Sequence, residues 1–175
     1  MIIVWILLIL IFVSFALIVA VGAPFVPTKK GQLQKLFEHI KLRRGSRVID
    51  LGSGDGRVLA LAKKHGYKPL GYELNPILAA YSMLRLGKKG KSMIRIKSYW
   101  SADVSRADMV FIFSAQPYMN RLLNKLEKEL KPGSLVISYG FSFPSRKIDE
   151  KFEGFNIYHF WSIRVFIVQC EYVRN

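Results

Sequence analysis

Apolar and charged positions divide this chain sharply. From Ile2 to Ala23 the sequence IIVWILLILIFVSFALIVAVGA holds no charged residue and only Ser14 as a hydroxyl, and the first charged side chain is Lys29. About 20 apolar residues cross the hydrocarbon core of a bilayer, so residues 1–23 are predicted as one N-terminal transmembrane helix. A cleaved signal peptide, with VGA (21–23) as its small-residue site, is the competing reading. It fits less well, because no basic stretch precedes the apolar run and the run exceeds the about 7–15 residues of an h-region. Lys29, Lys30, Lys35, Lys41, Arg43 and Arg44 follow directly, and basic flanks stay cytoplasmic. A single-pass membrane location with a cytoplasmic domain is therefore expected.

After the break GAPFVPT the pattern changes period. Residues 24–46 read as a linker and lead-in helix, with Leu33, Leu36, Phe37 and Ile40 at helical spacing over 29–42. Residues 47–175 read as the main domain. Its predicted strands are 47–51, 68–74, 93–100, 107–113 and 134–140. They alternate with helices over 56–66, 75–90 and 117–133, and two further strands are expected within 155–173. Asn75 is placed as an N-cap with Pro76 at the first helical position. Strands alternating with helices of this length predict an α/β domain, a Rossmann-like, doubly wound, mostly parallel sheet ending in an antiparallel hairpin.

Charge and composition narrow the partners. At 175 residues the chain is one domain with an appendage. Its formal net charge of +15 implies attraction to something anionic; beside a bilayer, an anionic lipid surface is the simplest such partner. Cys170 stands alone, which excludes a disulfide framework and a multi-cysteine metal site. His39, His65 and His159 show no ligand spacing, so no metal is expected.

The chemistry concentrates in VIDLGSGDGR (48–57). A strand, a glycine turn and a helix start bring backbone N–H groups close to a ligand. Asp50, Gly52, Ser53, Gly54, Asp55 and Gly56 have a spacing unlike the G-x-G-x-x-G of dinucleotide-binding domains. Glu73 ends the second strand, where a carboxylate accepts both hydroxyls of a ribose and repels a 2′-phosphate, which argues against NADP.

The glycine loop together with Glu73 resembles the class I, seven-stranded S-adenosylmethionine-dependent methyltransferases. FVPT (25–28), DLGSGDGR (50–57), GYELNPILAAYS (71–82) and FIFSAQPYM (111–119) are similar to a narrower group. That group is the membrane-anchored protein lysine methyltransferases of the ATP synthase c-subunit and adenine nucleotide translocase type. The resemblance implies S-adenosyl-L-methionine as cofactor. It places Thr28 and the loop Asp50–Gly56 at the methionine moiety, and Glu73 at the ribose with Leu74 and Asn75 beside it. Where many relatives carry an acid for the adenine amino group, this chain has Ser98, with Asp103 as an alternative from the following loop. Trp100 matches the relatives, either stacking on adenine or plugging the core.

Acceptor contacts are expected after the fourth strand, at Gln116 and Tyr118. Ala115 and Gln116 replace the Asp/Asn-Pro of nucleobase amino methyltransferases, which disfavours a planar nitrogen acceptor. The expected activity is methylation of lysine side chains in a protein, a small integral membrane protein being the expected partner and nucleic acid disfavoured. Methylation of RNA or a small molecule, and a non-catalytic S-adenosylmethionine-binding module, stay open as alternatives.

Overall fold

The computed structural model describes residues 1–6, 8–9 and 30–160. Helix α1 (Lys30–His39) turns Leu33, Leu36 and Phe37 inward, as their spacing requires. Strand β1 (Arg47–Leu51) leads through the glycine loop into α2 (Arg57–Lys64), followed by β2 (Lys68–Glu73) and α3 (Pro76–Leu86). A 3₁₀ turn (Gly87–Lys89) and a short helix α4 (Gly90–Met93) precede β3 (Ile94–Ile96). The remaining elements are β4 (Met109–Ile112), α5 (Gln116–Glu129), β5 (Ser134–Tyr139), β6 (Glu150–Phe152) and β7 (Phe155–Phe160).

The strands form one seven-stranded sheet in the order β3-β2-β1-β4-β5-β7-β6. Strands β1 to β5 run parallel, whereas β7 pairs antiparallel with β5 and with β6. This is the expected Rossmann-like, mostly parallel architecture. Alternation along the strands separates two cores. Ile49, Val110 and Ile112 pack under Met119, Leu122 and Leu126 of α5, while Val48, Met109 and Phe111 pack under Leu36 and Phe37 of α1 and Val58 of α2. With β2 on one flank of β1 and β4 on the other, chain direction across the sheet reverses at β1. Ligands of open α/β sheets bind beyond the carboxyl ends of the strands at such a point.

Three expectations need correction. The first of the two strands expected within 155–173 is β7, and it forms an antiparallel hairpin with β6, a preceding strand that the expectation lacks; the turn between them is Glu153–Gly154, with φ of 49° and 86°. The charged segment DEKFEGF carries no apolar strand pattern, yet a three-residue edge strand tolerates charge because one side of it faces solvent. Residues 161–173 lie outside the described residues. Strand β3 is shorter than 93–100, because Ser98 leaves the sheet to cap a 3₁₀ turn at Tyr99–Ser101. The third correction concerns the membrane: no helix of the described residues is long and apolar enough to cross one. The single-pass location is therefore not sustained. Residues 7 and 10–23 of the expected anchor lie outside the described residues.

Candidate functional site

The site is built where β1 and β2 end. Gly52, Gly54 and Gly56 all have positive φ (98°, 52° and 76°), a region costly for residues with a Cβ. The Gly52 and Ser53 N–H groups both donate to the Tyr72 carbonyl (2.9 and 3.0 Å), and the Gly56 N–H donates to the Ser53 carbonyl (2.8 Å). Gly56 also lets two helices meet. A Cβ on it would lie 2.1 Å from Ser82 Oγ of α3.

Glu73 is the centre of the arrangement. Its Oε2 accepts the Gly54 N–H and its Oε1 accepts the Asn75 N–H, each at 2.7 Å. One buried carboxylate thus ties the glycine loop to the start of α3. Each oxygen keeps a further acceptor position. Asn75 Oδ1 in turn accepts the N–H groups of Ile77 and Leu78 (2.9 and 3.3 Å), the N-cap expected of it. Leu74, between them, exposes its apolar side chain at the rim.

Asp50 and Asp55 differ in environment and so in charge. Asp50 is buried, and burial first, then the charges of Glu73 and Asp55, push its carboxyl well above the usual range. Burial also acts to raise Asp55, but the hydrogen bonds from Arg57 and the charges of Arg57 and Arg85 outweigh it and hold Asp55 low. Asp55 accepts Arg57 Nε at 2.9 Å and Arg57 Nη2 at 2.8 Å, and Arg85 Nη2 lies 3.0 Å away. Its carboxylate therefore clamps α2 to α3 rather than turning toward Glu73. A cavity of about 380 Å³ between α1 and α2 shares Arg57 and Arg85 with this clamp and is also lined by Lys30 and Lys64. Neither Asp50 nor Glu73 lines it.

Of the residues expected at the adenine and at the acceptor, Trp100 and Tyr118 form a second cluster. Ser98 Oγ accepts the Trp100 N–H (3.4 Å) as a cap; Asp103 accepts the Ser105 N–H (2.9 Å) in its own loop. Trp100 is half-buried with the Arg121 guanidinium 4.0 Å from its ring centroid, so one face of the ring is taken. Tyr118 meets Trp100 edge-on at 6.4 Å. Gln116 is exposed and donates from Nε2 to the Ser142 carbonyl (3.2 Å), anchoring the loop after β5. Thr28 lies outside the described residues.

Two residues of this second cluster carry no sequence signal strong enough to single them out. Ser114, immediately beyond β4, is buried, and neither its hydroxyl nor that of Tyr99 has a hydrogen-bond partner. Burial raises the Tyr99 phenol, and the neighbouring Ser114 hydroxyl acts in the opposite sense. Buried unpaired hydroxyls are costly, and these two sit at the carboxyl end of the sheet. The cue available in the sequence is a serine directly after the apolar run VFIF.

Known proteins resemble this chain in sequence and in fold. Residues 50–150 match the family model described as the ANTKMT methyltransferase domain. The chain is 40% identical to the ATP synthase c-subunit lysine N-methyltransferase of Homo sapiens, over 69% of this chain and 53% of that protein. It is 33% identical to a protein-lysine N-methyltransferase of Saccharolobus islandicus, over 67% of this chain and 76% of that one. Among solved structures it is similar to an RNA methyltransferase from Salinibacter ruber in complex with S-adenosyl-L-homocysteine. That match has a TM-score of 0.67 and 27% identity, and covers 77% of this chain and 92% of that chain. The chain spans about half the length of the first curated relatives it matches. With the matched segment running from Asp50 through Glu73 to Glu150, this chain belongs to the ANTKMT methyltransferase domain family.

Proposed function

We propose that this protein is an S-adenosylmethionine-dependent methyltransferase that N-methylates lysine side chains of a protein substrate. The observation that carries the reading is Glu73, a buried carboxylate at the end of β2 joined to both Gly54 and Asn75. Its remaining acceptor positions suit the two hydroxyls of a ribose, and the exposed Leu74 suits an adenine face. The positive-φ loop of residues 52–56 is the place for the methionine moiety. Such residues fit S-adenosylmethionine. When bound, that cofactor supplies a methyl group activated on a sulfonium. The chain's own part is to position the acceptor, exclude water and leave the amine unprotonated. Tyr118, with the buried hydroxyls of Tyr99 and Ser114 beside it, is placed for the positioning role. In this reading residues 47–175 are the catalytic domain and residues 24–46 lead into it. The names of the relatives point to a protein lysine as acceptor.

A second reading, RNA methylation, draws on the +15 charge and on the similarity to the Salinibacter ruber protein. Incubating the purified chain with methyl-labelled S-adenosylmethionine and, in parallel, protein and RNA extracts separates the two. Label recovered as N-methyllysine after protein hydrolysis is expected. Label confined to RNA would establish the second reading, and no transfer to either would undo both.

A further inference from the structure

From Leu74 to Ala102 the chain contains no acidic residue, yet it carries Arg85, Lys88, Lys89, Lys91, Arg95 and Lys97. The structure gathers this stretch onto one face, formed by α3, α4 and the sheet's edge strand β3. Ile77, Tyr81 and Leu84 stand at i, i+4 and i+7 along α3, which puts them on a single stripe. They are 78%, 53% and 80% exposed. Ile96 shares a face of β3 with Ile94, because side chains alternate along a strand. Ile94 packs beneath Ala79 and Leu86 of α3, while Ile96, farther along, is 52% exposed. Lys88 and Lys89 follow the end of α3, Lys91 lies on α4 and Lys97 directly follows β3; all four are exposed and make no ion pair among the described residues. The stripe begins beside Asn75, at the rim of the Glu73 site.

Large exposed apolar side chains in a row, bordered by like charges, mark an interaction surface rather than a solvated helix face. We propose that this surface docks an amphipathic helix of the protein substrate, one that offers an apolar ridge flanked by acidic side chains. The stripe from Ile77 to Leu84 covers two helical turns, about 10 Å, the length over which i, i+4 and i+7 anchors of a partner helix engage. Charge complementarity selects the partner: unpaired lysines border the stripe on residues 88–97, so acidic flanks are drawn in and basic ones are repelled. Nucleic acid would meet the lysines but leave Ile77, Leu84 and Ile96 against phosphate and water. This inference rests on the reading of the protein as a protein methyltransferase.

The test uses a labelled 18-residue helical peptide with leucines at i, i+4, i+7 and i+11 and glutamates flanking them, and a twin with lysine for every glutamate. Fluorescence anisotropy with the full chain should show the acidic peptide binding at least tenfold more tightly than its twin. The triple reversal Lys88→Glu, Lys91→Glu, Lys97→Glu should weaken the acidic peptide at least tenfold, and Leu84→Ser at least threefold. S-adenosylhomocysteine affinity, measured by calorimetry, should stay unchanged in both. If the triple reversal unfolds the chain, glutamine at the same three positions carries the test. Equal binding of the two peptides, or native-like binding by the variants, overturns the proposal. So does displacement by polyuridylate or by phosphatidylserine vesicles as effective as displacement by unlabelled acidic peptide. A native chain that fails to bind S-adenosylhomocysteine would instead undo the methyltransferase reading, whatever the peptides do.

Discussion

Glu73 sits where two requirements meet, because the carboxylate that holds the loop is also the one placed for a ribose. Glu73→Ala removes both the acceptors of the Gly54 and Asn75 N–H groups and the charge-assisted bonds to a diol, the latter worth about 1.5–3 kcal/mol. S-adenosylhomocysteine affinity should fall at least tenfold by calorimetry, with Glu73→Gln, which keeps one acceptor oxygen, in between. Unchanged affinity in the alanine variant would remove Glu73 from the site. Asp50, buried close by, gives a prediction of a different kind. Its folded-state pKa lies above the unfolded value, chiefly through burial. Between those two values the folded state holds the extra proton, so this group's contribution to stability falls as pH rises. Asparagine has no such linkage. Asp50→Asn should therefore improve relative to the native chain on going from about pH 4 to about pH 8, read by urea unfolding at both. An effect identical at the two pH values would contradict the buried, proton-retaining Asp50. Gly56 is constrained twice, by its φ of 76° and by Ser82 Oγ, which would lie 2.1 Å from a Cβ placed there. Gly56→Ala should destabilise by more than the about 1 kcal/mol of left-handed strain, measured by the urea midpoint. Adding Ser82→Gly should recover the steric part alone; full recovery would mean that φ costs nothing there.

Elements add a level that single residues do not show. The β6–β7 turn holds Glu153 at φ 49° before Gly154 at 86°, a pair of left-handed residues that suits Asn-Gly better than Glu-Gly. Glu153 compensates in part by accepting Lys35 Nζ at 2.7 Å. That pair is substantially exposed on the lysine side, and exposed pairs contribute about 0–1 kcal/mol. Relieving the strain gains a similar or larger amount. Glu153→Asn should thus leave stability equal or raise it by up to about 1 kcal/mol, again by urea unfolding, and a clear loss would show the Lys35 pair to dominate. The same hairpin shows where sequence reading stops. Strand β1 is legible because a short apolar run between Arg-Gly-Ser and a glycine turn leaves little choice. A three-residue, charged edge strand has no such run; only its pairing with β7 defines it, and local periodicity does not report pairing. Strand β3 falls short of its apolar pattern for a related reason. Ile94, Ile96 and the aromatic pair Tyr99–Trp100 look like one strand until the Ser98 hydroxyl captures the Trp100 N–H. In the site, the glycine loop and the Asn75 cap could be read because backbone conformation dictates residue type. The pairing of Asp55 with Arg57 and Arg85 could not, since Arg85 reaches it only through the packing of α3 on α2.

At the scale of the whole molecule the excess of cations decides how the protein responds to salt. Lysine and arginine number 27 against 12 acids, and several of those acids are already engaged. Asp55 binds two arginines, Asp108 binds Lys131, and Glu129 and Glu153 bind Lys125 and Lys35. Added salt acts in two directions. It weakens surface ion pairs, each worth about 0–1 kcal/mol, and it screens repulsion among the remaining cations, which the compact state feels more strongly than the extended chain. The acid-free stretch of residues 74–102 concentrates that repulsion on one face, where neighbouring charges lie within the Debye length of about 10 Å at 0.1 M salt. The partly buried clamp at Asp55, with side-chain exposures of 10% on the aspartate and 25% on Arg57, is screened little. Repulsion therefore wins, and the melting temperature should rise by a few degrees between about 0.05 and 0.5 M KCl, with chloride chosen over sulfate so that surface exclusion does not mimic the effect. The triple reversal at Lys88, Lys91 and Lys97 lowers the local charge and should flatten the rise. A melting temperature that falls with KCl, or a reversal variant as salt-dependent as the native chain, would show that the ion pairs and not the unpaired cations set the balance.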